Sequence, residues 1–494
     1  MTDSTFPTTD GEINHRRRYL VLTICCAAVT VAMMNISIVN IALPTIRQGL
    51  DTSMSGLQWT IDAYTLVLAS FPVLAGSSAD RFGRRRIFQI GLAAFGTGSL
   101  ICGLAPDIGW LVAARIVQAV GGTMLTPVAL AIVTTTFTDK AERAKAIGVI
   151  GAITGLALAI GPILGGILVD SLGWRAIFWI NVPILAVVMV CTAVAVPESR
   201  ATRTRRFDPV GQILVILVLS SVVFAIIEST ELGWDSPIIL GLLAVSALSL
   251  IGILVYEPRR TDPLLDLRLF RSVPFSSANL MALFALCGFQ GFLFVTTQYL
   301  QDVRGMTALV AGLCLLPVGG LIALLSPVAG KLVGTSGPRL PLSISGVALA
   351  LGGAASLWIA PDTPLIAVLV IYALFGVFLG LVNPPITNTA VAGMPQSMAG
   401  VAASLVSTGR QAGTTLGVAI AGTIVGPSLT QGGAAYTDAE QGVWWLLFGL
   451  GIAILVLAIV STGRWAQGTA ERAATLFDEL EQREAAPRKV PAGQ

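Results

Sequence analysis

The stretch Gly76–Arg86 reads GSSADRFGRRR and connects two long apolar segments. It holds four arginines and one acidic residue, Asp80. Positive charge beside an apolar span favours the cytoplasmic side of a membrane. The Asp80 carboxylate can pair with an arginine or lie at a helix N-terminus, in a contact that can be made and broken. Gly76 and Gly83 would let neighbouring backbones approach closely. We therefore predict a cytoplasmic loop with a conformational latch between two membrane helices.

The composition is that of a membrane protein. Of 494 residues, 54% are hydrophobic and 12% are charged, whereas a soluble domain carries about twice that share of charge. The net charge of +3 is small, so no nucleic-acid partner is expected. The six cysteines lie in apolar segments without the spacing of a metal or redox site, and we expect buried free thiols. No cofactor and no metal are predicted, and the lipid bilayer is the expected environment.

Fourteen apolar segments, of about 18 to 28 residues each, are long enough to cross a bilayer as helices. They begin near Tyr19, Leu57, Ile87, Gly109, Ala144, Trp174, Val210, Pro237, Phe275, Thr307, Pro338, Pro364, Ser397 and Gly442. The first segment is too long for the apolar core of a signal peptide, so we expect it to be retained. The predicted fold is an all-α membrane protein with 14 transmembrane helices.

The distribution of basic residues sets the orientation. With the N-terminus in the cytoplasm, 25 of the 30 basic residues fall in cytoplasmic segments. Arg47, Arg175 and Arg304 fall on the other side, and Arg115 and Arg410 fall within spans. This asymmetry follows the positive-inside rule. An even number of spans then places both termini in the cytoplasm, and a multi-pass protein of the cytoplasmic membrane is predicted.

An internal repeat indicates two similar halves. The stretch Gly330–Arg339 repeats the spacing of Gly76–Arg86, with Gly337 at the position of Gly83 and Gly334 at the position of Asp80. Two six-helix bundles related by an axis along the membrane normal fit this repeat. The predicted units are an N-terminal tail (1–18), a six-helix bundle (19–199), two inserted helices with basic flanking loops (200–274), a second six-helix bundle (275–462) and a C-terminal tail (463–494).

Several motifs resemble those of the major facilitator superfamily. Its signature loop between the second and third helices is matched by Gly76, Asp80, Gly83, Arg84 and Arg85. The superfamily's fourth-helix motif resembles Leu111–Gly121, and the motif associated with its exporters resembles a set of residues on helix five: Gly155, Gly161, Pro162, Gly165 and Gly166. Fourteen spans with these motifs resemble the drug:proton antiporter branch.

The resemblance implies alternating access, in which lipophilic compounds are expelled in exchange for protons. Asp80 with Arg84 is then expected to clamp the cytoplasmic ends of the two halves in the outward-facing state. The partners expected are a small lipophilic substrate and protons, and the transporter is expected to act as a monomer.

Ionisable residues inside spans are costly and mark functional sites. Asp62 on helix two is the predicted proton carrier, because burial between helices favours the neutral form of a carboxylic acid. Arg115 on helix four is predicted to hold the deprotonated form, although Asp62 can instead serve only as a local hydrogen-bonding group. Glu228, near the end of helix seven, is interpreted as an interfacial charge.

The substrate cavity is predicted to be broad and apolar, with a few polar anchors. The candidates are Asn35, Tyr64, Gln118, Gln290, Asn383 and Arg410. Asn35 departs from the branch, which usually has an acidic residue at this position, and an amide cannot take up a proton in the working pH range. We therefore expect neutral or singly cationic substrates. Arg410 can alternatively snorkel toward the cytoplasm or brace helices.

Other functions remain open at the level of sequence. A nucleotide-driven pump is not expected, because the chain lacks the Gly-x4-Gly-Lys-Ser/Thr phosphate loop. A membrane-embedded enzyme would need a nucleophile or metal cluster, and the single histidine, His15, precedes the first span. Within transport, export of an endogenous metabolite or lipid, and proton-coupled uptake of a nutrient, are the alternatives.

Overall fold

The computed structural model describes residues 15–200, 208–260, 266–392, 396–428 and 433–485, and no strand occurs among them. The predicted all-α class is confirmed. In the described residues ten helices are long and apolar enough to cross a membrane, or eleven if the bent pair Met54–Ser70 and Leu74–Phe82 counts as one span. The count of fourteen and the cytoplasmic location of both termini stay predictions.

The helices follow the predicted segments in order. The first group is α1 (His15–Leu50), α2 (Met54–Ser70), α3 (Pro72–Phe82), α4 (Arg84–Gly103), α5 (Ile108–Thr136), α6 (Lys140–Leu172), α7 (Ala176–Trp179) and α8 (Asn181–Ala195). The inserted pair is α9 (Pro209–Leu232) and α10 (Pro237–Tyr256). The last group is α11 (Val273–Gln298), α12 (Ala308–Cys314), α13 (Leu316–Ser336), α14 (Arg339–Ser356), α15 (Leu365–Val391), α16 (Gln396–Val425), α17 (Gly433–Ser461) and α18 (Arg464–Ala485).

Short polar side chains begin several of these helices. Ser53, Asp107, Asp208 and Thr307 each accept a hydrogen bond from a backbone N–H in the first turn of α2, α5, α9 and α12. The first N–H groups of a helix have no partner within it, so these caps satisfy donors that would otherwise lack one.

Two groups of helices pack mainly within themselves. Helix α1 packs on α6 and α5, and α4 packs on α5 and α8, whereas α11 packs on α16 and α17, and α14 on α15 and α17. The groups meet where α2 packs on α16 and where α6 packs on α12 and α13. Helix α9 packs on its partner α10 and also touches α2 and α16. The inserted pair therefore lies beside the boundary between the two groups.

The predicted loop at Gly76–Arg86 is wrong. Helix α3 continues through Phe82 and α4 begins at Arg84, so only Gly83 separates them. Gly83 has φ +113°, which L side chains rarely adopt. Its counterpart Gly337 has φ +76° and, together with Pro338, separates α13 from α14. Two helices joined through a single glycine need no longer connection.

Candidate functional site

Arg115 of α5 is the centre of a buried polar cluster and is 1% exposed. Its guanidinium donates hydrogen bonds to the side-chain oxygen of Asn35, to Gln118 Oε1 at 2.6 Å and to the Thr60 carbonyl of α2 at 2.9 Å. It also stands 4.2 Å from the ring centre of Tyr64. Arg115 thus joins α1, α2 and α5 through neutral acceptors and an aromatic face. Three of the predicted cavity residues, Asn35, Tyr64 and Gln118, are brought together here.

The cluster continues from Gln118 toward α4 and α8. Gln118 Nε2 donates to Ser99 Oγ at 2.7 Å, and Asn181 Nδ2 lies 3.5 Å from the same oxygen. The Tyr64 hydroxyl donates to the Ala32 carbonyl at 3.2 Å. Buried polar groups of this kind rigidify a helical bundle when they are paired. Asn181, on α8, is not among the site residues predicted from the sequence; an amide two residues before Pro183, within an apolar span, is the sequence feature that points to it.

Asp62 lies on another face of α2, at the junction with α16. Its side chain is fully buried; Thr65 Oγ1 is 3.5 Å from Oδ1, and Oδ2 has no hydrogen-bond partner among the described residues. Thr65 Oγ1 is in turn 2.8 Å from Thr415 Oγ1 of α16. No hydrogen bond or ion pair joins Asp62 to Arg115 in the described chain. The two predicted coupling residues therefore occupy separate sites in this conformation.

The remaining predicted cavity residues lie in the second group of helices. Arg410 of α16 donates to Thr387 Oγ1 at 2.7 Å and to the Asn383 carbonyl at 3.3 Å, both on α15. It braces these two helices, which was one of the two alternatives. Gln290 of α11 is 1% exposed, and its Nε2 has no partner among the described residues. A small apolar cavity of about 150 Å³ lies between α2, α9 and α16, and none of the six predicted residues lines it.

The exporter motif predicted on the fifth span lies on α6. Its small residues face both groups of helices. A Cβ on Gly161 would stand 2.0 Å from Ser37 Oγ of α1, and one on Gly166 would stand 2.6 Å from the Ala308 carbonyl oxygen of α12. A Cβ on Gly161 would require the Ser37 side chain to move, whereas one on Gly166 would meet backbone, so glycine at 166 allows α6 to lie directly against α12. Gly165 also faces α1, and Pro162 packs against Gly312 of α12. Gly155 lies in the same helix, nearer its beginning.

The predicted latch residues interact within the first group of helices. Arg84 Nη2 pairs with Asp80 Oδ1 at 2.9 Å across the Gly83 break. Glu198, just after α8, accepts from the Arg85 backbone N–H at 3.0 Å and lies 3.7 Å from Arg86 Nε. Sequence reasoning missed Glu198. A lone acid after a span, on the same predicted side as the arginine-rich stretch, was the available signal. Space around Gly76 is open, since nothing lies within 4 Å of a Cβ built there.

Polar contacts join the first and the last group of helices at the end of the bundle away from the Gly76–Arg86 stretch. We call this end the distal end. Arg47 Nη2 of α1 is 3.1 Å from Asp302 Oδ2, and Gln301 Nε2 donates to the Ile41 carbonyl at 2.9 Å. Asp170 of α6 accepts from the backbone N–H groups of Ala308 and Leu309 at the start of α12. Asp170 and Asp302 were also missed, because each is a single acid at a span end. These contacts close the distal end.

No group of three or more His, Cys, Asp or Glu side chains that could hold a metal ion occurs among the described residues. The site is instead built from a buried arginine, a separate buried carboxyl group and two groups of helices in contact at one end. A carboxyl group buried at such a junction changes its interactions with the surrounding helices when it gains or loses a proton.

The family model described as Major Facilitator Superfamily matches residues 25–418. The chain is 38% identical over 388 residues to "Multidrug resistance protein Stp" of Mycobacterium tuberculosis, which covers 78% of this chain and 72% of that protein. It is 35% identical over 410 residues to "Tetracenomycin C resistance and export protein" of Streptomyces glaucescens, with 82% and 75% covered. It is 34% identical to "Methylenomycin A resistance protein" of Streptomyces coelicolor, with 87% and 90% covered.

Two solved structures share the fold. The "Crystal structure of tetrameric PepTSo2" has a TM-score of 0.63 at 13% identity and covers 94% of this chain and 99% of that one. A bacterial homologue of the human lysosomal transporter Spinster, in an inward-facing and unoccupied conformation, has a TM-score of 0.62 at 17% identity, with 97% and 100% covered. At these identities the likeness concerns the fold alone.

Proposed function

Because this chain belongs to the major facilitator superfamily, we propose that it is a drug efflux transporter that expels lipophilic compounds in exchange for protons. It acts by alternating access in the cytoplasmic membrane, with the two groups of helices opening at one end while the other end is closed. The names of the relatives support export: they include a multidrug resistance protein and resistance proteins for tetracenomycin C, puromycin and methylenomycin A.

The observation that carries proton coupling is the position of Asp62. Its carboxyl group is fully buried where α2 meets α16, with Oδ2 unpartnered among the described residues. An ionised carboxylate without a cationic partner is costly at such a site, whereas the neutral acid is tolerated. The contact between α2 and α16 is also one that must rearrange when the two groups of helices rock. Gain or loss of one proton at Asp62 therefore changes the free energy of that contact.

Arg115 supplies the partner for the ionised form. Its Nε already hydrogen-bonds the Thr60 carbonyl of α2, two residues before Asp62. In the proposed cycle α2 rotates after deprotonation, so that the carboxylate exchanges its apolar surroundings for the guanidinium. The neutral acceptors Asn35 and Gln118 hold Arg115 while Asp62 is protonated. Charge pairing is then present in one state and absent in the other, which is what coupling requires.

The substrate is proposed to be a lipophilic neutral or singly cationic compound. Asn35 offers an amide where an acid would attract further positive charge, and its oxygen is already bonded to Arg115. A site with few charged anchors relies on apolar contact, which is compatible with many ligands.

Two measurements test this function. A susceptibility panel in a bacterial host that lacks its own efflux pumps should show raised resistance to several lipophilic antibiotics when the chain is expressed. Purified protein in proteoliposomes should move protons across the membrane when such a compound is added. Resistance without proton movement would contradict coupling, and proton-driven accumulation of a nutrient without resistance would contradict drug export.

A further inference from the structure

Glu440 of α17 is a buried acid to which the proposed cycle assigns no role. It is 1% exposed, and its Oε1 has no hydrogen-bond partner among the described residues. The indole of Trp444, one helical turn further on, hydrogen-bonds the carboxyl group. The described ion pairs do not include Glu440. An ionised carboxylate in such surroundings is costly, so this conformation accommodates Glu440 as a neutral acid.

The groups around Glu440 are tyrosines. Tyr436 of α17, Tyr372 of α15 and Tyr299 all lie close enough to interact electrostatically with the carboxyl group. Each of the three is at most 2% exposed. The charged groups that influence these tyrosines are the Arg47–Asp302 ion pair, which acts on Tyr436, and Arg304 with Asp362, which act on Tyr299. None of these cations is placed to neutralise Glu440 itself.

The helix that carries Glu440 packs on the segment that closes the distal end. Residues Tyr299–Val303 form one turn of π-helix after α11, with the Arg304 N–H bonded to the Tyr299 carbonyl at 3.0 Å. π-Helical turns are rare in proteins, and those that occur often lie at functional sites. The hydroxyl of Tyr436 donates to the Val295 carbonyl at 3.1 Å, in the last turn of α11.

The same π turn carries the contacts between the two groups of helices. Asp302 pairs with Arg47, and Gln301 bonds the Ile41 carbonyl of α1. Tyr299 itself donates to the Ala360 carbonyl at 2.8 Å and accepts from Arg304 at 3.2 Å. Helix α17, which carries Glu440, packs on this π turn, so the carboxyl group lies beside the segment whose contacts keep the distal end closed.

We propose that Glu440 is a second proton-binding site, whose protonation permits closure of the distal end. When that end is open and wetted, Glu440 exchanges one proton with the solution there. Closure buries the group without a cation and is favourable only after the carboxylate has taken up that proton. Reopening returns the proton to the same solution, so Glu440 gates the cycle and carries no proton across. The inference rests on the proposed alternating-access function.

The test measures the distance across the distal end as a function of pH. Spin labels on Leu172→Cys and Trp358→Cys report it, since both side chains are exposed, at the end of α6 and just after α14. The six native cysteines are replaced by alanine in a variant that keeps its transport activity. Full-length protein in nanodiscs is measured between about pH 5.5 and pH 8.5. The Asp62→Asn background removes the predicted coupling carboxylate.

We expect the long-distance, open population to rise with pH in the Asp62→Asn background. Glutamine stays neutral, so with Glu440→Gln added to this background the distance between the labels should stay short at every pH. With the exposed control Glu471→Gln, the open population should depend on pH as it does in the parent. Asp302→Asn, which breaks the contact itself, should shift the population toward the open form at all pH values. If Glu440→Gln fails to fold, Tyr436→Phe serves instead and should move the midpoint of the titration.

The inference would be overturned if the open population depended on pH in the same way with Glu440→Gln, or if it did not depend on pH in the parent. These outcomes are separate from failure of the proposed function. Proton movement driven by substrate in proteoliposomes of the unaltered protein tests that function, and it does not depend on whether the distal end titrates in nanodiscs.

Discussion

Arg47 Nη2 and Asp302 Oδ2 lie 3.1 Å apart and join α1 to the π turn that follows α11. This is the described ion pair that connects the two groups of helices, and both side chains are largely shielded from solvent, with exposures of 26% and 18%. It stabilises the conformation in which the distal end is closed. A contact that exists in one state of a transporter biases the equilibrium between states by its own free energy.

Asp302→Asn is therefore expected to weaken closure of the distal end. A partly exposed ion pair contributes about 1 kcal/mol, so the ratio of closed to open protein should fall roughly fivefold. Labels at positions 172 and 358 measure this ratio. The charge-exchanged double variant Arg47→Asp with Asp302→Arg should restore closure in part. A double variant no better than the single one would show that Asp302 acts through other contacts.

Asp80→Asn is expected to reduce efflux sharply while expression is unaffected. The substitution removes the charge that pairs with Arg84 at 2.9 Å beside the Gly83 break, and the latch is predicted to reform across the two halves in the outward-facing state. The matched control is Asp235→Asn, at an exposed aspartate between α9 and α10. Minimum inhibitory concentrations and membrane blots measure the two effects. Normal efflux by a well-expressed Asp80→Asn variant would contradict the latch hypothesis.

Asp62→Asn is expected to abolish proton movement driven by substrate while substrate binding persists. The amide keeps the size of the side chain but cannot exchange a proton in the working pH range. Proton flux in proteoliposomes and substrate binding to detergent-solubilised protein are measured on the same preparation. Glu228→Gln is the control, since Glu228 is bonded to Trp59 near the distal end of α9. If Asp62→Asn still exchanges substrate for protons with unaltered pH dependence, Asp62 is structural.

Gly83→Ala is expected to lower stability, whereas Gly76→Ala is not. A residue with a Cβ at φ +113° is strained by about 1 to 3 kcal/mol, and the new methyl group would also meet the Glu198 carboxylate. Gly76 lies in α3 with open space around a built Cβ. Thermal unfolding of the two purified variants in the same detergent compares them directly. Equal melting temperatures would show that the backbone between α3 and α4 can accommodate a Cβ at position 83 without loss of stability.

Dicationic compounds are expected to be poor substrates. Asn35 replaces the acid that is usual in the first helix of the antiporter branch, and its oxygen already accepts from Arg115. A second positive charge on the substrate would then have no carboxylate beside the Arg115 cluster to offset its desolvation. A susceptibility panel that pairs monocationic with dicationic antiseptics measures the difference. Selective resistance to dicationic amidines or biguanides would contradict this expectation.

The class of the protein and the order of its helices can be predicted from the sequence alone. Apolar length and the placement of arginines are local properties that each segment carries alone, so the spans could be located without knowledge of their partners. The same holds for the turn at Gly83 and its repeat at Gly337, because a glycine between apolar helices signals a positive φ within the segment itself. The predicted connection at Gly76–Arg86 is longer than the one observed, because the local sequence does not show how few residues can separate two helices.

Which polar groups contact each other depends on the packing of distant helices. Arg115 bonds Asn35, which lies 80 residues earlier in the chain, and makes no described contact with Asp62, because the rotation of α2 about its axis turns Asp62 toward α16. Glu198 lies beside Gly83 although more than a hundred residues separate them. The burial of Glu440 likewise depends on how α17 packs on α11, α14 and the π turn. Such contacts depend on how distant helices are rotated and packed, which no segment of the sequence specifies alone.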